Sequence, residues 1–430
     1  MKNSRSYLFV TWEGGGNVPP VLGLARRLVE RGHDVRVLTE PCLAEAVTAL
    51  GARFEPFDQY FDRQDCTRDI MGDWQAKTPI GALRRNFDKV VFGPAAIVAA
   101  ETRHAIDRER PDIIVADHIM PGAFVPARAA GIPLVILFHT PEFLPGPGKP
   151  AAGSGFMPRE DFIGRARDLL FNQAFLKMLS PYVPAFAQMH QEYGLPPVTG
   201  AGDLVDHYHE ADRRLILTSE AFDFPITPRP ANVRYAGPVL DDPHWGGEWE
   251  SPWAANDKRP LVVASLSSTF QNQREALQRI IAALGTLRVR GLVTTGPAMS
   301  AEQFNVPANV VVLPAAPHSR VFPGTAAVVT HGGHGTVMRA LANGVPVLCL
   351  PMGRDQNDNA ARIVANGAGL RLSPSAKPDR IAIAVQRLLE EDGFRDGARR
   401  LCRAIEQDTG ADVAVRELEA VGREERVPTF

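Results

Sequence analysis

Apolar residues in this chain fall into short continuous runs, separated by segments of helical periodicity, and the two kinds alternate along most of its length. Tyr7 to Thr11 predicts a strand, and Asn17-Val-Pro-Pro opens a helix through Arg31 with Val21, Leu24, Ala25 and Leu28 on one face. Gly32 and His33 stop that helix, and Asp34 to Thr39 reads as the next strand. Cys42 to Leu50 is helical, Arg53 to Phe57 a strand, and a long helix precedes Pro111. Asp112 to Ala116 and Pro133 to Phe138 predict buried strands with Ala123 to Ala130 helical between them. Strands that are apolar throughout, joined by helices, imply a parallel sheet covered on both faces.

The second half repeats the scheme with runs at Leu261 to Ser265, Gly291 to Thr295, Val310 to Leu313, Ala327 to Thr330 and Val345 to Leu350. Between the halves, Asp241 to Pro252 is rich in turn formers and without periodicity, which marks a linker. The expected fold class is therefore α/β, with two doubly wound, Rossmann-like parallel-sheet domains facing a central cleft. The expected boundaries are 1–240 for the first domain, 241–257 for the linker, 258–410 for the second and 411–430 for a C-terminal segment. Asp58 to Pro79 and the Pro/Gly-rich stretch Thr140 to Phe156 interrupt the first domain. Loops at the carboxyl ends of parallel strands are where such sheets bind ligands.

The 430 residues carry a formal net charge of −2, which leaves no basic footprint for nucleic acid. No apolar run reaches the ~18 residues that span a bilayer, and no targeting segment is visible, so a cytoplasmic location is expected. Four scattered cysteines (Cys42, Cys66, Cys349, Cys402) without a CxxC pair read as reduced thiols.

Chemistry concentrates in Val329-Thr-His-Gly-Gly-His-Gly-Thr336 and, about one helix later, Pro351-Met-Gly-Arg-Asp-Gln-Asn-Asp-Asn359. A glycine-rich turn from strand to helix lets the backbone approach an anion, and the helix start aims free N–H groups at it. His331 adds a side-chain donor, while Asp355 and Gln356 bring acceptors suited to vicinal hydroxyls. A phosphate cradle followed by a sugar clamp reads as a nucleotide-sugar site.

These segments, with Ala316-Pro-His-Ser-Arg-Val-Phe-Pro323 upstream and Gly367-Ala-Gly-Leu370 downstream, resemble the signature of GT-B glycosyltransferases of the macrolide and secondary-product type. The resemblance implies that Pro317 and His318 cup the nucleobase. It implies that His331, Gly333, Gly335 and Thr336 contact the diphosphate and that Asp355 and Gln356 contact a hexose. Ser267 and Ser268, after the Leu261 strand, resemble the family's serine-rich diphosphate loop and equally read as an N-cap cluster before a helix at Gln273. Thr295 ends another strand beside the nucleotide. Arg339 stands where many relatives place a ribose-binding glutamate, so the donor is left as UDP- or TDP-linked. The C-terminal helix would pack back on the first domain. His139, Phe143 and Phe156 are assigned to the acceptor.

The same family places a basic histidine at the start of the first long helix, where this chain has Asn17, and an amide takes up no proton at neutral pH. Asp117, matching the carboxylate that orients that histidine, is the first substitute, Glu13 the second and His118 the third, with His139 a weaker fourth. Asn17 then orients acceptor or sugar. A weak base favours an acidic acceptor, a phenol or polyketide-like molecule. The expected activity is an inverting hexosyltransferase with no cofactor beyond the co-substrate sugar nucleotide and no metal. Two other readings stay open, a nucleotide-sugar-binding accessory protein and a sugar-nucleotide epimerase. Monomer and homodimer are both compatible with the chain.

Overall fold

A computed structural model describes residues 4–146, 149–225, 228–243, 247, 249–296 and 299–422. Parts of the linker (His244, Trp245, Gly246 and Glu248), Pro297, residues 147–148 of the Pro/Gly-rich loop and the end of the C-terminal segment lie outside them.

Seven parallel strands form the first sheet: β1 (Ser6–Val10), β2 (Asp34–Thr39), β3 (Arg53–Pro56), β4 (Ile113–Asp117), β5 (Leu134–Phe138), β6 (Arg213–Ile216) and β7 (Val233–Tyr235), in the order β3-β2-β1-β4-β5-β6-β7. Six more form the second: β8 (Leu261–Ser265), β9 (Arg290–Thr294), β10 (Val310–Leu313), β11 (Thr325–Thr330), β12 (Val347–Cys349) and β13 (Gly369–Arg371), in the order β10-β9-β8-β11-β12-β13. Both are the doubly wound α/β sheets expected. Each is covered on its two faces. Leu8, Val10 and Ile114 face one apolar cluster of the first sheet, and Tyr7, Phe9 and Val115 face the other. The second sheet likewise divides Val262 and Val329 from Val263 and Val328.

Three strands had no sequence signal. β6 begins Arg213-Arg214, and the charge hid it. The structure buries Arg214 to 1 % exposure and sets its guanidinium 3.6 Å from Glu142. β7 and β13 are three residues each, too short for any period to show. The reduced-thiol reading is also corrected, because Cys42 and Cys66 form a disulfide across 24 residues, while Cys349 and Cys402 are free. The turn after β2 and the loop ahead of Asp69 bring them together, and no local spacing announces that. Closing a loop of this size contributes roughly 3 kcal/mol on the chain-entropy estimate. No helix among the described residues is long and apolar enough to cross a membrane.

The helix Val413–Ala420 lies on the first sheet's side, with Ala414, Val415 and Leu418 in the same cluster as Tyr7 and Phe9. Arg31 donates to Asp412 at 2.6 Å and reinforces that docking. Asp241 pins the linker: its carboxylate accepts from Arg26 at 2.9 Å and Arg27 at 2.8 Å, and its carbonyl accepts from Arg339.

Candidate active site

Strand order reverses between β1 and β4 in the first sheet and between β8 and β11 in the second. Loops leaving the carboxyl ends on either side of such a reversal diverge, and the crevice between them is where doubly wound sheets take ligands. The predicted residues sit on these loops: Glu13 and Asn17 after β1, Asp117 and His118 at the end of β4, Ser267 and Ser268 after β8, His331 to Thr336 after β11. The two reversals face one another. A Cβ on Gly15, whose φ is +83°, would stand 2.5 Å from the Ser268 hydroxyl, so only glycine allows the halves this close here.

On the second half, the helix His334–Ala342 starts with Gly333 as N-cap and no side-chain cap, so no side chain claims its first-turn N–H groups. Gly332 has φ +96°, and a Cβ there would meet the Gln356 carbonyl at 3.0 Å. His331 is 7 % exposed, and its Nε2 lies beside Gly333, where a Cβ would meet it at 2.7 Å. Burial, with a smaller contribution from the Arg354 charge, pushes its pKa down to about 3, so the ring is neutral near pH 7. Its Nδ1 is 3.3 Å from Thr330 Oγ1, which itself accepts the Gly332 N–H. The threonine hydroxyl can donate to Nδ1, an arrangement that would put the ring proton on Nε2.

The segment around Asp355 and Gln356 is tied to the serine-rich loop by a polar chain. Gln356 Oε1 accepts from Met352 and Gly353 N–H at 2.7 and 3.1 Å, and its Nε2 donates to Gln271 at 3.0 Å. Gln271 donates to Ser267 Oγ at 3.0 Å, and Ser267 Oγ is 3.1 Å from Thr269 Oγ1. Arg354 donates to Thr269 Oγ1 at 2.9 Å and, through Nε and Nη2, to Asp73 at 2.8 and 3.0 Å in the first half. Asp355 is half-buried; one oxygen accepts from Asn359 at 2.7 Å, and burial raises its pKa. The N-cap reading of Ser267 and Ser268 is replaced, since the helix Arg274–Gly285 is capped at Gln273 without a side-chain bond. Gln271, Arg354 and Asp73 were not singled out in the sequence. Arg354 holds φ +54°, a backbone state that its residue type does not announce.

The structure does not bring every predicted donor residue to the cleft by its side chain. Thr295 spends its hydroxyl on Gly296 and Met299 carbonyls at 3.2 and 2.9 Å. His318 stacks on Phe322 at 4.3 Å, and burial pushes its pKa down to about 3. Pro317 caps the short helix that carries it. Gly335 lines a small cleft cavity with His334, Gly16, Pro20 and His139, and Thr336 is half-buried one residue further on.

On the first half, Asp117 is 1 % exposed and gathers its neighbours. Oδ2 accepts from Asn17 Nδ2 at 2.8 Å and Thr11 Oγ1 at 3.3 Å and lies 2.9 Å from His139 Nε2. Oδ1 lies 3.1 Å from His118 Nδ1 and accepts from Ile119 N–H at 3.2 Å. Burial alone would raise its pKa, but the two imidazoles outweigh that and hold the carboxyl well below the usual range. Glu13 differs. Burial, only partly offset by the Gly15 N–H and Arg63, lifts its pKa to about 7. It lines a second small cavity with Trp12, Arg63, Ser268 and Thr269. Among the residues expected at the acceptor, Phe143 packs on His118 and Phe138 at 5.3 and 5.5 Å. Phe156 packs against Phe171 at 5.4 Å and under the Arg167 guanidinium. Its loop is nonetheless latched across the cleft, since Asp358 accepts from Gly153 and Gly155 N–H at 2.6 and 2.8 Å.

Residues 278–420 match the family model described as erythromycin biosynthesis protein CIII-like, C-terminal domain, and residues 15–178 match a glycosyl transferase 4-like domain. The 4'-demethylrebeccamycin synthase of Lentzea aerocolonigenes is 28 % identical over 404 residues, covering 92 % of this chain and 94 % of that protein. A crystal structure of a calicheamicin glycosyltransferase superposes with a TM-score of 0.74 at 22 % identity, covering 97 % of this chain and 98 % of that one. The glycosyltransferase VinC in complex with DTDP gives 0.65 at 19 % identity, covering 96 % and 100 %.

Proposed function

The chain belongs to the GT-B glycosyltransferases of the bacterial macrolide and secondary-product type, and on that premise we propose that it transfers a hexose, with inversion and without metal, from a UDP- or TDP-linked sugar to an apolar small molecule bearing an acidic hydroxyl. The observation that carries this reading is the polar chain from Gln356 through Gln271 and Ser267 to Arg354 and Asp73. It fixes the sugar segment, the serine-rich loop and the first half in one arrangement beside an uncapped helix start.

The two-sided cavity supports the reading of inversion. His139 and Gly16 line it from the first half, His334 and Gly335 from the second. An acceptor entering from the first half approaches the anomeric carbon opposite a diphosphate held by the second, and one displacement inverts that centre. Charge on the leaving diphosphate is met by backbone N–H groups, the neutral His331 donor and the neighbouring Arg354, which together take the place of a cation. The acceptor class rests on the relatives' names and on the amide at Asn17, which itself takes up no proton from a poorly acidic alcohol.

Product mass spectrometry with UDP-glucose and a thymidine-linked sugar against phenolic and polyketide-like acceptors tests the reading. A glycoside of inverted configuration that still forms in EDTA is the expected result. A strict need for magnesium or manganese would remove the metal-free part, and donor binding without any product would favour an accessory protein.

Asp355 and Gln356 are expected to separate. Asp355→Ala should relax discrimination among donor sugars and leave free nucleoside diphosphate affinity nearly intact. Gln356→Ala should also lower that affinity, because its amide holds the Met352–Gly353 turn. Titration calorimetry with sugar-linked and sugar-free nucleotide reads both, and equal losses in the two variants would merge their roles.

A further inference from the structure

The Asn17 amide is fully committed. Its Nδ2 donates to Asp117 Oδ2 and the Trp12 carbonyl, each at 2.8 Å, and its Oδ1 accepts the Gly14 N–H at 3.1 Å. It takes up no proton, so the group that receives the acceptor's proton stands elsewhere. Asp117 itself is enclosed, with an imidazole beside each oxygen. His118 lies 3.1 Å through Nδ1 from the Leu137 carbonyl and lays its ring on Phe138 at 13° between planes. Glu13 Oε1 accepts the Gly15 N–H at 2.6 Å and faces the other cavity, beside Ser268 and Thr269.

His139 alone of these groups lines the cavity that the second half closes with His334 and Gly335. Its ring is 6 % exposed, and neither nitrogen has an aligned hydrogen bond among the described residues. Nε2 nevertheless lies at ion-pair distance, 2.9 Å, from Asp117 Oδ2. Buried polar side chains are rarely left so, and an imidazole with a carboxylate at one nitrogen and nothing at the other is arranged to take a proton at the second. Sheet order explains how. β4 lies between β1 and β5, so Asp117 at its end is flanked by the loop after β1, which carries Asn17, and by the end of β5, which carries His139. A histidine from either neighbour reaches the same carboxylate.

We propose that His139 is the catalytic base of this enzyme and that Asp117 is its positioning residue, the imidazole having moved one strand across the sheet from the helix start. The proposal rests on the glycosyltransferase reading above. The acceptor heteroatom bonds to the anomeric carbon, and the bond from that carbon to the diphosphate oxygen breaks with its electron pair leaving on the diphosphate. The acceptor's proton passes to His139 Nδ1. Asp117 balances the imidazolium until solvent takes the proton.

The test is turnover of His139→Ala and His139→Gln with one phenol and one alkyl alcohol, alongside thermal midpoint and nucleotide affinity. Losses of about 10²- to 10⁴-fold in kcat are expected, larger for the alcohol, with folding and nucleotide affinity retained. Added imidazole should restore part of the rate of His139→Ala. Rates within a few-fold of wild type would overturn the proposal, as would a loss confined to Glu13→Gln. Equal losses for both acceptors without imidazole rescue would make His139 structural and overturn it too. A wild-type enzyme that glycosylates no acceptor would instead defeat the transferase reading, before any variant is compared.

Discussion

His331→Ala is expected to slow turnover by roughly 10²- to 10³-fold while weakening nucleotide binding far less, the usual cost of removing one donor aimed at developing charge. The ring is buried and uncharged near neutral pH. It therefore acts as a fixed dipole, and the Thr330 contact at 3.3 Å sets which nitrogen carries the hydrogen. Negative charge grows on the diphosphate only as the sugar leaves, so a neutral donor beside the Gly332–Gly333 turn gains most in the transition state. Single-turnover rates and nucleotide affinity for the two proteins separate the effects. Equal losses in rate and affinity would mean that His331 only holds the nucleotide, and unchanged kinetics would remove it from the phosphate site.

Asp117→Asn should cost about 10²- to 10⁴-fold in turnover, the range for losing general base catalysis. Five groups converge on this carboxylate, from Thr11, Asn17, His118, Ile119 and His139. An amide keeps the shape but loses the charge that balances an imidazolium. Its NH₂ also faces donors that then have no acceptor, a buried mismatch of about 1–3 kcal/mol. The thermal midpoint should fall for that reason alone. What separates proton transfer from packing is the acceptor series, where the rate loss should be larger for an alkyl alcohol than for a phenol. A uniform loss following the midpoint would leave Asp117 a structural role only.

Much of the candidate donor loop's shape was legible because its geometry is local. A strand, a glycine-rich turn and a helix start are contiguous in Thr325 to Ala342, and the turn's shape depends on residues next to one another. The Asp355–Gln356 pair was legible in position, but the contacts Gln356 makes within the protein were not. Gln356 turns its amide onto the Met352–Gly353 turn and Gln271, contacts made between segments about 85 residues apart. Arg354 and Asp73 carried no signal, since a bidentate pair across the cleft, 281 residues apart, leaves no trace in spacing. Within the polar stretch Asp58 to Pro79, the structure uses Asp73 to hold the two halves together.

The acceptor side shows where local pattern stops. Asn17 at the helix start and Asp117 at a strand end were both readable, and so was the absence of a base at the first of them. Which imidazole stands beside Asp117 was not, because Asp117, Asn17 and His139 belong to three different strand ends. Their distances follow from strand order, and strand order follows from how two faces of helices cover one sheet. The sequence by itself determined the alternation of buried strands and amphipathic helices, hence two doubly wound sheets, and the turn chemistry of each loop, for these depend on side-chain periodicity and backbone freedom within a dozen residues. Tertiary structure alone decided that Cys42 meets Cys66, that charged β6 is buried, and that His139 stands 2.9 Å from Asp117 facing the second half's cavity wall. Each of these is a contact between distant segments, formed only when packing of the whole sheet fixes which strands are neighbours.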